Sequence, residues 1–92
     1  MIRLDFWREE RNIIPTILRV GRYSFYFFSN EGLEPAHIHV KAGGDQAKFW
    51  LDPVSLAANY GFRGHELTDI ERIVQERRAF FLEAWYEHRD ED

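Results

Sequence analysis

Glu34-Pro35-Ala36-His37-Ile38-His39-Val40, answered by Ala47-Lys48-Phe49-Trp50-Leu51 after the loop residues around Gly43-Gly44, decides how this chain folds. Two alternating apolar runs on either side of Gly-Gly read as a β-hairpin, because glycine reaches positive φ without a Cβ clash. With Gly43 and Gly44 at the turn centre, Ala42 faces Asp45, Lys41 faces Gln46, Val40 faces Ala47, His39 faces Lys48, Ile38 faces Phe49 and His37 faces Trp50. Successive side chains point to opposite faces of a strand. One face then carries Ile38, Val40, Ala47, Phe49 and Leu51, and the other carries His37, His39, Lys48 and Trp50. A bulge or an odd loop inside the hairpin would break this pairing.

The chain of 92 residues is short enough to be one domain, spanning 1–92, and too short to bury a large core. Its three Trp, four Tyr and eight Phe offset this, since each ring buries a large area. Dimerisation would offset it further. There is no cysteine, which fits a reducing cytoplasm and excludes disulfide and thiolate chemistry. No apolar run is long enough to cross a bilayer and no signal-peptide pattern opens the chain. The net charge is -4, and the acids of Glu87 to Asp92 supply most of it. A nearly balanced body with an acidic tail is not the footprint of a dedicated duplex-DNA binder.

Working outward, residues 1–12 read as an N-terminal extension with the loose alternation Ile2, Leu4, Phe6. Residues 13–62 read as the β-sheet. Ile13 to Val20, Gly21-Arg22 and Tyr23 to Phe28 suggest a second hairpin. Tyr23, Phe25 and Phe27 share one parity and Ser24, Tyr26 and Phe28 the other, so this strand should be covered on both sides. Pro15 belongs at an edge or the strand start, and Ser29-Asn30-Glu31-Gly32 is turn chemistry. Asp52-Pro53 should turn with proline first in the turn centre. Val54 to Tyr60 alternates as a further strand, with a short helix from Pro53 to Tyr60 as the competing reading.

Thr68 and Glu71 match a capping box, which predicts a helix over 68–89. Ile70, Val74, Arg77, Phe81, Ala84, Trp85 and His88 form its apolar stripe, flanked by Ile73 and Phe80. The fold class is therefore α+β: an antiparallel sheet of four to five strands packed on one long C-terminal helix.

The motifs Asn30-Glu31-Gly32, Glu34-Pro35, His37-Ile38-His39-Val40, Ala47 to Leu51, Gly61-Phe62 and Trp85 resemble those of a family of small, mostly bacterial domains of unknown function. The likeness runs from Pro15 to about Tyr86. Family members usually start near Pro15, so Met1 to Asn12 looks like an addition or a different start site, and Ala36 stands where proline is common. The resemblance implies the toxin-like half of a toxin–antitoxin-like pair, with a cognate small antitoxin-like protein as partner. It implies no settled reaction.

The residues themselves support three readings. In the first, the chain cleaves RNA through the ribose 2′-hydroxyl: His37 and His39 share acid and base work, Lys48 stabilises developing charge, Trp50 or Tyr60 stacks on a base, and Glu34 orients a histidine. In the second, His37 and His39 ligate a metal ion, completed by His65 or Glu34. The ammonium of Lys48 opposite His39 opposes that, so no cofactor is expected. In the third, the face binds a cognate protein or a second copy without catalysis. On the structural side, Phe80, Phe81 and Trp85 read as core and His65 as a loop residue near the helix start. His88 at the helix end would suit the macrodipole when protonated.

Overall fold

A computed structural model describes residues 16–28 and 33–91, with side chains as far as Glu87. The expectations for residues 1–15, for Ser29 to Gly32 and for the side chain of His88 fall outside these residues. Five strands follow in chain order: β1 (Leu18–Val20), β2 (Tyr23–Tyr26), β3 (His37–Ala42), β4 (Asp45–Leu51) and β5 (Val54–Tyr60). They lie side by side in that same order, and every neighbouring pair is antiparallel. Two helices close the chain, α1 (Gly64–Glu76) and α2 (Arg78–Glu91). None of the described helices is long and apolar enough to cross a membrane.

Every expected pairing of the β3–β4 hairpin is present, from Ala42↔Asp45 to His37↔Trp50. Gly43 supplies the left-handed residue of the turn, at φ +61°. The ladder continues past the strand end, where Leu51 N donates to the Ala36 carbonyl (3.0 Å). The β1–β2 hairpin turns on Gly21, at φ +60°. As the double apolar parity predicts, Ser24, Phe25 and Tyr26 of β2 are all buried. Val54 to Tyr60 is a strand, not a helix. The Leu51↔Val54 pairing puts Pro53 second in its turn, after a cis peptide bond, and not first as expected.

One face of the sheet is sealed by the helices. Phe25, Ile38, Val40, Phe49 and Leu51 meet Ile70, Val74 and Phe81 there, all at 0% exposure. Phe25 and Phe81 pack with ring centres 5.3 Å apart.

The helical part differs from the expectation in three ways. The helix starts before Thr68, because the Glu66 carboxylate accepts a hydrogen bond from Arg63 N (2.8 Å) and satisfies an orphan donor one turn earlier. Gly61, at φ +112°, and paired hydrogen bonds between the Asn59 side chain and the Phe62 backbone (3.0 Å each) bring the chain to that point. Thr68 instead bonds back to the Gly64 carbonyl (3.1 Å), and His65 lies in the first helical turn, not in a loop.

The run is also interrupted at Arg77, whose φ of -106° and ψ of 16° leave the helical region. The i to i-4 bonds of Arg77 and Phe81 persist across it, at 2.9 and 3.0 Å, so the axis is kinked and not severed. The next residue, Arg78, is tied to the sheet by bonds to the Leu51 carbonyl (2.7 Å) and Asp52 (2.8 Å). Finally, the kink turns the buried stripe: Ile73 joins it, Arg77 leaves it, and Phe80 is 45% exposed where a core position was expected.

Candidate functional site

Antiparallel partners share a face, so the register lays out the side of the sheet away from the helices row by row. The row nearest the Gly43 turn is Arg19, Ser24, Lys41, Gln46 and Tyr60, one residue from each strand. The middle row is Tyr26, His39, Lys48 and Ala58. The far row holds His37, Trp50 and Ser55. His37, His39, Lys48 and Trp50 therefore share one patch, as the hairpin register predicts.

A register shift sits beside Lys48 and Phe49, which pair with Ala58 and Leu56 and leave Ala57 as an extra residue. An unpaired residue of this kind bends its strand and re-aims its side chains. Here it brings both Ala57 and Ala58 against a hollow of about 300 Å³. Its lining combines the small side chains of Ala47, Ala57 and Ala58 with the rings of Phe28, Trp50 and Tyr60. His39, Lys48 and Gln46 supply its polar groups.

Four of the six expected site residues thus line one cavity: His39, Lys48, Trp50 and Tyr60. Tyr60 stands on the outer strand with 69% of its surface exposed. Glu34 does not line the cavity but reaches it by an ion pair, its carboxylate accepting from Lys48 Nζ (2.5 Å). The same ammonium lies 4.7 Å from the Trp50 ring centre, a cation–π distance.

His37 is placed differently. It has 0% exposure and lies at the strand end beneath Trp85 of α2, with ring centres 4.7 Å apart. Its Nδ1 donates to the Pro35 carbonyl (2.9 Å), since a carbonyl can only accept. The neutral ring therefore carries its lone pair on Nε2. Glu34 Oε1 is 3.9 Å from the same Nδ1. The His37 ring stands perpendicular to that of His39, 5.1 Å away. His39 in turn stacks on Tyr26 (5.4 Å) and meets the edge of Phe28 (4.6 Å). Aromatic packing holds both imidazoles.

Residues 23–86 match the family described as a domain of unknown function, DUF4160. The chain belongs to that family. The match takes in the whole His37–Leu51 hairpin and Trp85, so every side chain that lines the hollow is part of the family domain. No curated protein and no solved structure matches the chain.

Several groups of the site were not singled out from the sequence. Gln46 shares the parity of Lys48 and Trp50 on β4, and Phe28 that of Tyr26, so alternation could have found both. Ala57 and Trp85 carried no such signal: one depends on a bulge and the other on where α2 crosses the strand end. Among the described residues, no group of three or more His, Asp or Glu comes together as a metal cage. His65, offered as a third ligand, lies on α1.

Proposed function

We propose that this family domain acts on single-stranded RNA in the cytoplasm, as the toxin-like half of a two-protein system whose cognate small protein restrains it. The observation that carries this reading is the hollow between Trp50, Tyr60 and Phe28, with an imidazole and an ammonium on its wall. Unpaired bases stack on aromatic side chains with little regard to sequence, and stacking typically contributes about 1–3 kcal/mol per base. The small side chains of Ala57 and Ala58 in the lining leave room for a flat ring.

Cleavage needs a base and a group that neutralises a phosphorane. His39 would take the ribose 2′-hydroxyl proton. The 2′-oxygen would form a bond to phosphorus, and the P–O5′ bond would break. The 5′-oxygen would take a proton from water, leaving a 2′,3′-cyclic phosphate and a 5′-hydroxyl. Lys48 would meet the developing negative charge. His37 has no surface with which to touch a substrate. In this reading it is a positioning residue that supports His39, and Glu34 sets the orientation of Lys48 and His37.

The test is to incubate pure protein with a short RNA and follow cyclic-phosphate ends. Loss of cleavage by about 100-fold or more in His39→Ala, the scale typical of a general base, with base-dependent quenching of Trp50 fluorescence retained, would support the reading. No cleavage and no quenching by protein freed of any partner would overturn it. The exposed rings of Phe80 and Tyr86 on α2 support the partner as well, because apolar groups of this kind are enriched at interface centres.

A further inference from the structure

The ammonium in the hollow is already matched by a carboxylate. Lys48 is held by Glu34, which in the proposed cleavage orients its ammonium toward the reacting phosphorus and leaves the flanking phosphates to other cations. The neighbouring row is electrostatically different. Arg19 and Lys41 are both exposed and stand on the same face, separated by Ser24 alone. Among the described residues, neither is ion-paired to a carboxylate. Lys41 Nζ lies 5.4 Å above the Tyr26 ring, which turns the ammonium across the face. Two strand spacings separate the two backbones, about 10 Å, a span that long basic side chains can bridge to successive phosphates.

Gln46 and Tyr60 continue this same row into the hollow. We infer that the Arg19–Lys41 row is a phosphate track, and that the ligand is a single-stranded oligonucleotide running across the strands, with a base in the hollow and its adjoining phosphates on Lys41 and Arg19. This rests on the hollow taking a base, and it adds a second subsite. Stacking in the hollow supplies the base contact, and the cationic row supplies a sequence-independent backbone contact. Gln46, whose amide carries both donors and an acceptor, stands where the two meet and can read a base edge.

The probe is a hexamer of 2′-O-methyl uridine, which lacks the attacking hydroxyl, set against the monomer uridine, which carries a base and no phosphate. Affinities are measured on the full chain over a series of salt concentrations. Wild type should bind the hexamer more tightly than the monomer. The Arg19→Ala/Lys41→Ala variant should lose about tenfold in hexamer affinity and about 1.4 in salt slope, at roughly 0.7 per single-strand phosphate contact. Its monomer affinity should change less than about twofold on the same reasoning. The charge-retaining exchange Arg19→Lys/Lys41→Arg should bind the hexamer as wild type does.

An unchanged salt slope in the alanine variant overturns the track while leaving the hollow intact. Equal loss for monomer and hexamer also overturns it, as does displacement of the hexamer by polyglutamate at equal charge. Hexamer binding that depends on Arg19 and Lys41 without any monomer binding supports the track and removes the hollow as a base site. Binding of neither probe removes both.

Discussion

The two faces of the sheet are built from the same strands and are held to different standards. Toward the helices, Phe25, Ile38, Val40, Phe49 and Leu51 have no exposed surface, and neighbours from α1 and α2 enclose them. Toward the other side, His39, Lys48 and Trp50 line a hollow together with Ala57 and Ala58, and Arg19 and Lys41 stand in the next row. Close packing makes the first face intolerant of volume change, since a cavity or an overpacked atom has nowhere to relax. The second face has room at the hollow, although Ser24, Tyr26 and His37 on the same face are buried. The two-residue period of a strand thus separates the packed residues from those that the proposed recognition would use.

The largest expected effect lies on the sealed face. Phe81→Ala removes a ring fully enclosed by the core and should destabilise the domain by about 3–5 kcal/mol, read by urea denaturation. A change below about 1 kcal/mol would mean that α2 is not the lid of this core. On the open face the same kind of change should behave in the opposite sense. Ala58→Leu fills the hollow while leaving the sealed core untouched. It should shift stability by less than about 1 kcal/mol yet reduce quenching of Trp50 by uridine monophosphate at least about tenfold, the equivalent of roughly 1.4 kcal/mol.

A smaller effect concerns the ion pair at the edge of the hollow. Lys48 and Glu34 have side chains 21% and 45% exposed, so solvent screens them. A double-mutant cycle should give a coupling of about 0.2–1 kcal/mol, declining as salt is raised. The smallest concerns the start of α1. The hydrogen bond from Arg63 N, helped by Arg22, lowers the Glu66 carboxyl below its ordinary 4.5. A depressed folded-state value means that this contribution is present above 4.5 and is lost as pH falls through the lower folded value. Glu66→Gln should flatten the acid limb of the stability profile in that range. An identical acid limb in both proteins would show that Glu66 does not link helix initiation to pH.

The open face was partly legible in advance, and the reason is local. His37, His39, Lys48 and Trp50 share a surface because strand alternation and a glycine turn place them there, and both can be read within eighteen consecutive positions, roughly the length of one hairpin. Alternation could not say that Ala57 is unpaired, because a bulge appears only when two strands are docked. Nor could it say that His37 is enclosed, because the ring that covers it, Trp85, arrives from the far end of the chain. The helix start shows the same limit. Thr68 with Glu71 and Arg63 with Glu66 lie at equal spacing, and the choice between them follows from where Gly61 and Asn59 deliver the chain.

Residue order alone settled the α+β class, the two glycine hairpins, the β3–β4 register and which of its side chains share a face, because each depends on turn chemistry and a period of two. The kink at Arg77, the burial of His37, the exposure of Phe80 and the hollow lined by Ala57 and Ala58 were settled only by packing. Each depends on distances between residues far apart in the chain, and no short-range pattern carries those.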